Sequence, residues 1–399
     1  MTNRFLLFPC ACILSGYGMM HAQSPYINKV YDFAPAPGQF VNVLPEYEQG
    51  DTKADMIRKA DEAIAHNNKG MISLGGYGGY IVFGFDHPVR NIPGKYDFKV
   101  LGNAFVANAN PNPDAPRDGG SCEPGIVMVS RDTNGNGIPD DEWYELAGSE
   151  YRKPETVRNY RIAYHKPDEN KLRDPDPSYP YINDRTYIRW TTNGHGDGFL
   201  FRNTFHNQPY YPLWLTEDSL VFIGTKLADN YTDESGSGTY YVQYAYPYGY
   251  ADNFPNNDPR SGLSIDWAVD ASGAPVHLSE IHFVKVYTGV NQYCGWLGET
   301  STEILGAEDL HLTGGDTDIT TGNSSLPPSD ALHILRNPVQ QHLLVYSDTE
   351  QKAGVYNLTG SRVMSFVLGK GENAIDCTLP PGIYIMVASD GKTIKFLKK

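Results

Sequence analysis

The chain has 399 residues, a formal net charge of −15 and an apolar share of 40 %. The length allows two or three domains, and the acid excess excludes nucleic acid and anionic membrane surfaces as partners. Charged residues make up only 20 %, while 28 tyrosines, 40 glycines and 28 prolines are present, a balance that predicts an all-β, turn-rich protein.

The first segment reads as a signal peptide over residues 1–22. Arg4 precedes an apolar stretch that ends at Met20-His21-Ala22, a small residue before Gln23. Pro9, Ser15 and Gly16 interrupt the stretch, which falls short of the ~20 residues of a membrane-spanning helix. Cys10 and Cys12 lie inside the apolar part, too early for lipid attachment. The expectation is an exported protein that acts outside the cytoplasm, secreted or held at the outer-membrane cell surface.

Residues 23–310 are expected to form one β-sandwich domain. It opens with a single helix, capped by Asp51-Thr52 with Asp55 in the first turn, and Met56, Ile57, Ala60, Ala63 and Ile64 at helical spacing. Short apolar runs separated by Gly, Pro and Asn then follow: residues 80–85, 96–101, 125–130 and 143–146. From 152 to about 262 the texture becomes rich in Tyr, Pro, Asn and Asp, an insertion within the sandwich that keeps strands at 187–190, 219–223 and 240–244. Residues 281–287 alternate as a half-buried strand would. A Gly/Ser/Thr/Pro linker over 311–330 leads to a second block of short strands, residues 331–399.

Residues 132–142 carry the sharpest chemistry. Asp132, Asn134, Asn136 and Asp140 place oxygen side chains at relative positions 1, 3, 5 and 9. Gly137 permits the bend at position 6, and the Ile138 carbonyl occupies position 7. Trp143 stands where the bidentate acid of an EF-hand loop would be, and Asp141 or Glu142 could substitute from a different angle. Strand patterns flank the loop on both sides, which predicts a calcium-stapled β-hairpin with Ca2+ in a structural role. The alternative is an ion-free Asx-rich turn.

Cys122 and Cys294 fall in the same predicted domain, and an oxidising compartment permits a disulfide between them; two buried free thiols are the other reading. Ligand binding is expected of the aromatic insertion, with Trp190, Tyr211, Trp214, Tyr244, Tyr246, Tyr248, Tyr250 and Asn253 as the candidate residues. The alternation from Tyr244 to Tyr250 would project rings to one side of an extended segment, where they suit a sugar face or a large planar cofactor. The same rings could equally pack the insertion onto the sheet. A hydrolase is the lesser alternative, drawing on Asp86, Asp97, Glu123, Asp266, Glu280, His87, His195 and His206, but no nucleophile elbow or metalloprotease motif accompanies them. A non-binding structural or adhesive surface protein is the third.

Two resemblances sharpen these expectations. Asn337-Pro338, Val355-Tyr356-Asn357-Leu358-Thr359-Gly360, residues 379–385 and the basic Lys395-Phe396-Leu397-Lys398-Lys399 end resemble the C-terminal sorting domain of type IX secretion cargo, which implies a small Ig-like sandwich and export through the type IX secretion machinery. Residues 74–82, Tyr96-Asp97-Phe98, 102–105, Glu123-Pro124-Gly125-Ile126-Val127, 140–149, 265–270 and 284–287 resemble a bacterial cell-surface family whose core is similar to the galactose-binding-like (discoidin-type) jelly roll. That resemblance implies an accessory capture module for nutrient uptake, with a corrinoid or glycan ligand and an outer-membrane uptake receptor as a partner.

Overall fold

A computed structural model describes residues 22–107, 112, 118–315, 317, 319, 332–334, 339–347, 349–357, 361–389 and 393–399. The expected signal peptide, most of the linker, and Asn337-Pro338 with Leu358-Thr359-Gly360 of the C-terminal motif lie outside the described residues. The fold is an all-β sandwich, as the composition predicts.

A six-stranded antiparallel sheet organises the main unit, in the order Lys29–Ala34, Tyr80–Arg90, Glu280–Thr288, Gly125–Ser130, Trp143–Leu146, Ala268–Val269. Both faces of this sheet are covered. Val127, Val129, Val284 and Val286 point to one side, where they meet Phe98, Val100, Leu263, Trp267 and the helix Lys53–Ile64. Ile126 and Tyr287 point to the other, where they meet Tyr160, Ile162, Tyr164 and Tyr187. The period-2 alternation of side chains therefore divides each central strand between two cores. The 281–287 run is for this reason not half-buried: strands covered on both faces read as near-continuous apolar runs, and only the two half-buried polar residues His282 and Lys285 interrupt this one.

The helix forms where the spacing predicts it. Thr52 accepts from the Asp55 backbone and Asp55 reaches back to the Thr52 backbone, a complete capping box. Met56, Ala60 and Ile64 form its buried face.

The insertion is a third layer rather than a set of loops. Its strands Gly198–Asn203, Ile182–Thr192, Val157–His165 and Ser219–Lys226 form their own antiparallel sheet. Tyr160, Ile162 and Tyr164 turn inward from it. Two glycines set the contact between the layers: a Cβ on Gly78 would lie 2.3 Å from the Phe222 Cβ, and one on Gly224 would lie 2.9 Å from the Tyr287 hydroxyl.

Two smaller ladders close one end of the sandwich. Gly119–Ser121 pairs with Tyr241–Tyr244, and Glu303–Ile304 pairs with Ile72–Ser73. The C-terminal block has its own core of Leu343, Val345, Val355, Met386 and Phe396, between sheets of three and four strands.

Candidate functional site

Of the eight residues expected to bind ligand through the insertion, the four buried ones are packing residues, which corrects the expectation for them, while Trp190, Trp214, Tyr244 and Tyr248 are half-buried. Tyr211, Tyr246, Tyr250 and Asn253 are buried. Tyr246 and Tyr250 lie in the core beneath the insertion, with ring centroids 5.5 Å apart. Tyr248 packs on Trp267 at 5.1 Å, on the other core. The alternation of the segment is real, but it distributes the rings between two interiors. Asn253 clamps the turn, accepting from the Tyr246 backbone N–H at 2.8 Å and donating to its carbonyl at 2.7 Å. The Tyr250 hydroxyl accepts from the buried Glu150 N–H at 3.0 Å, and Tyr211 donates to the Glu217 carbonyl at 2.8 Å. The Tyr244 hydroxyl donates to Glu234. Trp214 stacks with Phe33 and Tyr47 at 6.3 and 6.2 Å, and Trp190 packs against the insertion core.

Cys122 and Cys294 are buried free thiols, so the disulfide is also corrected. The Cys294 sulfur lies 3.6 Å from the Thr300 hydroxyl, and burial pushes both thiols up to about 12.

The 132–142 loop is exposed and closes on its own side chains. Asp132 Oδ1 accepts from the N–H groups of Gly135 and Asn136 at 2.7 and 3.1 Å, and Oδ2 accepts from Gly137 at 2.8 Å. Asn134 accepts from Asn136 N–H at 2.9 Å, and Asn136 accepts from Ile138 N–H at 2.8 Å. Asp140 receives the side-chain amides of Asn134 and Asn136 at 3.1 to 3.2 Å, Asp141 accepts from Thr133, and Glu142 accepts from the Tyr144 hydroxyl at 2.8 Å. Gly135 and Gly137 adopt positive φ of 72° and 70°, which lets the chain coil so that the side chains of Asp132, Asn134, Asn136 and Asp140 bond within the turn. The backbone bonds hold the Asp132 carboxyl below the usual range. His282 anchors the loop to the sheet by accepting from the Asp132 N–H at 3.3 Å.

The structure brings together a different set of acids. Glu123, Asp252 and Glu303 offer carboxylate oxygens that all lie within 4.8 Å of one another. Glu123 precedes the central strand Gly125–Ser130, Glu303 opens the two-residue strand paired with Ile72–Ser73, and Asp252 sits in a turn at φ 50°. Backbone bonds weld the three: Glu123 N–H donates to the Asp252 carbonyl at 2.9 Å, and Glu303 N–H donates to Asp252 Oδ2 at 3.0 Å. Asp252 Oδ1 accepts from Ala104 N–H at 2.8 Å. Gly102 is required beside it, since a Cβ there would stand 2.2 Å from that oxygen.

Glu123 and Glu303 face a cavity of about 270 Å³ whose other walls are Gln39, Phe40, Leu44, Met71, Gln243, Leu297, Glu299 and Ser301. Its rim reaches solvent at Asn103 and Leu297. Gln243 donates to Glu123 at 3.5 Å and to Thr300 at 2.9 Å. Glu299 Oε1 accepts from Gln39 N–H at 2.5 Å, while its Oε2 and the Gln39 Oε1 are buried without a hydrogen-bond partner. Among the described residues, no lysine, arginine or histidine pairs with any of the four acids. Burial therefore raises all of them: Glu123 to about 7 and Glu299 to about 8. Asp252 and Glu303 rise well above the carboxylate range through burial, reinforced by the Glu123 charge.

Of these residues the sequence marks only Glu123. Asp252 and Glu303 lie 129 and 180 positions further on, and no local spacing links them. The remaining acids and histidines of the hydrolase expectation are dispersed. His87 is held between Asp86 and Asp309 at 2.6 and 2.8 Å. Asp97 caps Ile92 and Ile265 N–H groups and meets His311. Asp266 accepts from Asn91 and Gly94, Glu280 pairs with Arg131, and His195 and His206 lie against Tyr160 and Phe40. No family model matches the chain, and no match was found among curated proteins.

Proposed function

We propose that the chain is an exported cell-surface binding protein that captures a small polyhydroxylated ligand, such as a sugar unit of a glycan, in the acid-walled cavity at the end of the sandwich. One observation carries the reading. Apolar walls from Phe40, Leu44, Met71 and Leu297 converge with polar groups from Gln39, Gln243, Glu123, Glu299 and Ser301 around a space of about 270 Å³. Specific small-molecule sites share that mixture. A sugar ring fits such a space, whereas a corrin macrocycle does not. Among the two ligand classes expected from the sequence, the cavity therefore favours the glycan. The 132–142 loop supports the reading as a calcium staple that fixes the hairpin next to the central sheet. The signal segment and the type IX-like C-terminal block support a place at the cell surface, with the secretion machinery and an outer-membrane uptake receptor as partners.

The test is calorimetric titration of the chain from Gln23 onward with a monosaccharide and oligosaccharide panel and with cyanocobalamin, in calcium buffer. Heat from one sugar class, reduced at least tenfold in affinity by Gln243→Leu, supports the reading. No heat from any sugar sinks it, and heat from cyanocobalamin alone moves the ligand site to another surface.

A further inference from the structure

Three carboxyls in mutual contact, those of Asp252 and Glu303 buried and that of Glu123 half-buried, need compensation. An ionised carboxylate in a low-dielectric interior costs several kcal/mol unless it is paired, and the four acids around this cavity have no cationic side chain among the described residues. Two compensations exist: protons, or a bound cation. The geometry accommodates the second. Oxygen ligands around one ion at 2.3 to 2.6 Å stand at most ~5 Å from one another, and one oxygen each from Glu123, Asp252 and Glu303 lie within 4.8 Å of one another. The Asp252 carboxylate accepts the backbone N–H groups of Ala104, Glu303 and Asn103, which fixes it beside Glu123 and Glu303. The Gly102 cradle leaves no room for the carboxyl to turn away.

A second, independent observation lies on the same cavity wall. Glu299 is 8 % exposed, and its Oε2 has no partner; Gln39 is 2 % exposed, and its Oε1 has none either. Buried oxygens are almost always satisfied, so two orphaned acceptors beside an acid triad mark a place built for a positively charged or donor-bearing guest. Nearly all donors that reach the space are hard oxygens: carboxylate, amide and the Ser301 hydroxyl. The one soft candidate, the Cys294 sulfur, is occupied by Thr300.

We propose that Glu123, Asp252 and Glu303 hold a hard divalent cation of the calcium class at the wall of this cavity, where it presents open coordination positions to the hydroxyls of the captured ligand. Three protein carboxylates leave several of the six to eight positions of calcium to water, to ligand hydroxyls or to Glu299. As a ligand anchor the ion rests on the pocket reading; as a metal site it stands without it.

The experiment separates the two. The chain from Gln23 to Lys399 is stripped with EDTA and titrated with CaCl2 and with MnCl2, with the bound metal counted by mass spectrometry. The measurements are made in an Asp132→Ala background, which removes the 132–142 loop from the count. The expected result is one ion per chain, lost or weakened at least tenfold in Glu303→Gln and, as a surface-proximal control for folding, in Glu123→Gln. No bound ion in the Asp132→Ala protein overturns the proposal, as does one ion retained by both glutamine variants. If the metal binds and no sugar adds heat, the metal site stands and capture falls. If sugar heat survives EDTA and Glu303→Gln unchanged, capture stands and the anchoring ion falls.

Discussion

Raising the pH from 5 to 7 in EDTA should destabilise the main unit, and the size of the effect follows from the acid cluster. Glu299 is raised to about 8 and Glu123 to about 7, while Asp252 and Glu303 are raised well above their ordinary range. A carboxyl raised in the folded state holds its proton where the unfolded chain has released it. Its stabilising contribution is complete below the unfolded value near 4.5 and is lost as pH rises through the folded value. Each extra bound proton changes stability by about 1.4 kcal/mol per pH unit. Glu299, protonated through the whole interval, alone should remove about 3 kcal/mol between pH 5 and 7. Glu145, raised to about 7, and Asp97, raised to about 6, act in the same direction. His206, which burial lowers, opposes them. Acids held below their range, such as Asp132 and Asp258, change stability mainly below about pH 4. All five tryptophans lie between residues 143 and 296, so urea unfolding followed by tryptophan fluorescence reports this unit and not the C-terminal block. Glu299→Gln should flatten the slope. A urea midpoint independent of pH between 5 and 7, or a slope unchanged in Glu299→Gln, refutes the claim that burial holds the proton on Glu299.

Tyr250→Phe should cost about 1–3 kcal/mol by leaving the buried Glu150 N–H without its acceptor, with sugar affinity unchanged; a loss of affinity without loss of stability would return Tyr250 to a binding role. Gly102→Ala drives a methyl into Asp252 and should destabilise by about 1–3 kcal/mol, checked by thermal melting, with a wild-type melting curve counting against the cradle. Thiol titration in denaturant without reductant should find Cys122 and Cys294 both reactive, and unreactive sulfurs would restore the disulfide. EDTA should lower the melting temperature of the wild type more than that of Asp132→Ala, and equal shifts would leave the 132–142 loop an ion-free turn.

The all-β class, the helix and its capping box were written in local sequence, because turn residues, strand runs and caps act over a few positions. That residues 132–142 form a closed Asx-rich turn was legible for the same reason: the groups that bond across it are neighbours in the chain. The layering was not. Tyr246, Tyr248 and Tyr250 show the same alternation whether their rings face solvent or two separate cores, and only the third sheet packed onto Ile126 and Tyr287 decides between these. The acid cavity was least legible of all. Glu123, Asp252 and Glu303 are distant in the chain, and carboxylates at turns and strand starts read as ordinary solvated charge until the closing ladders bring them together. Short-range pattern thus set which elements form, whereas the burial that turns a tyrosine into a core residue, or an acid into a site, arises from contacts between segments far apart in the chain.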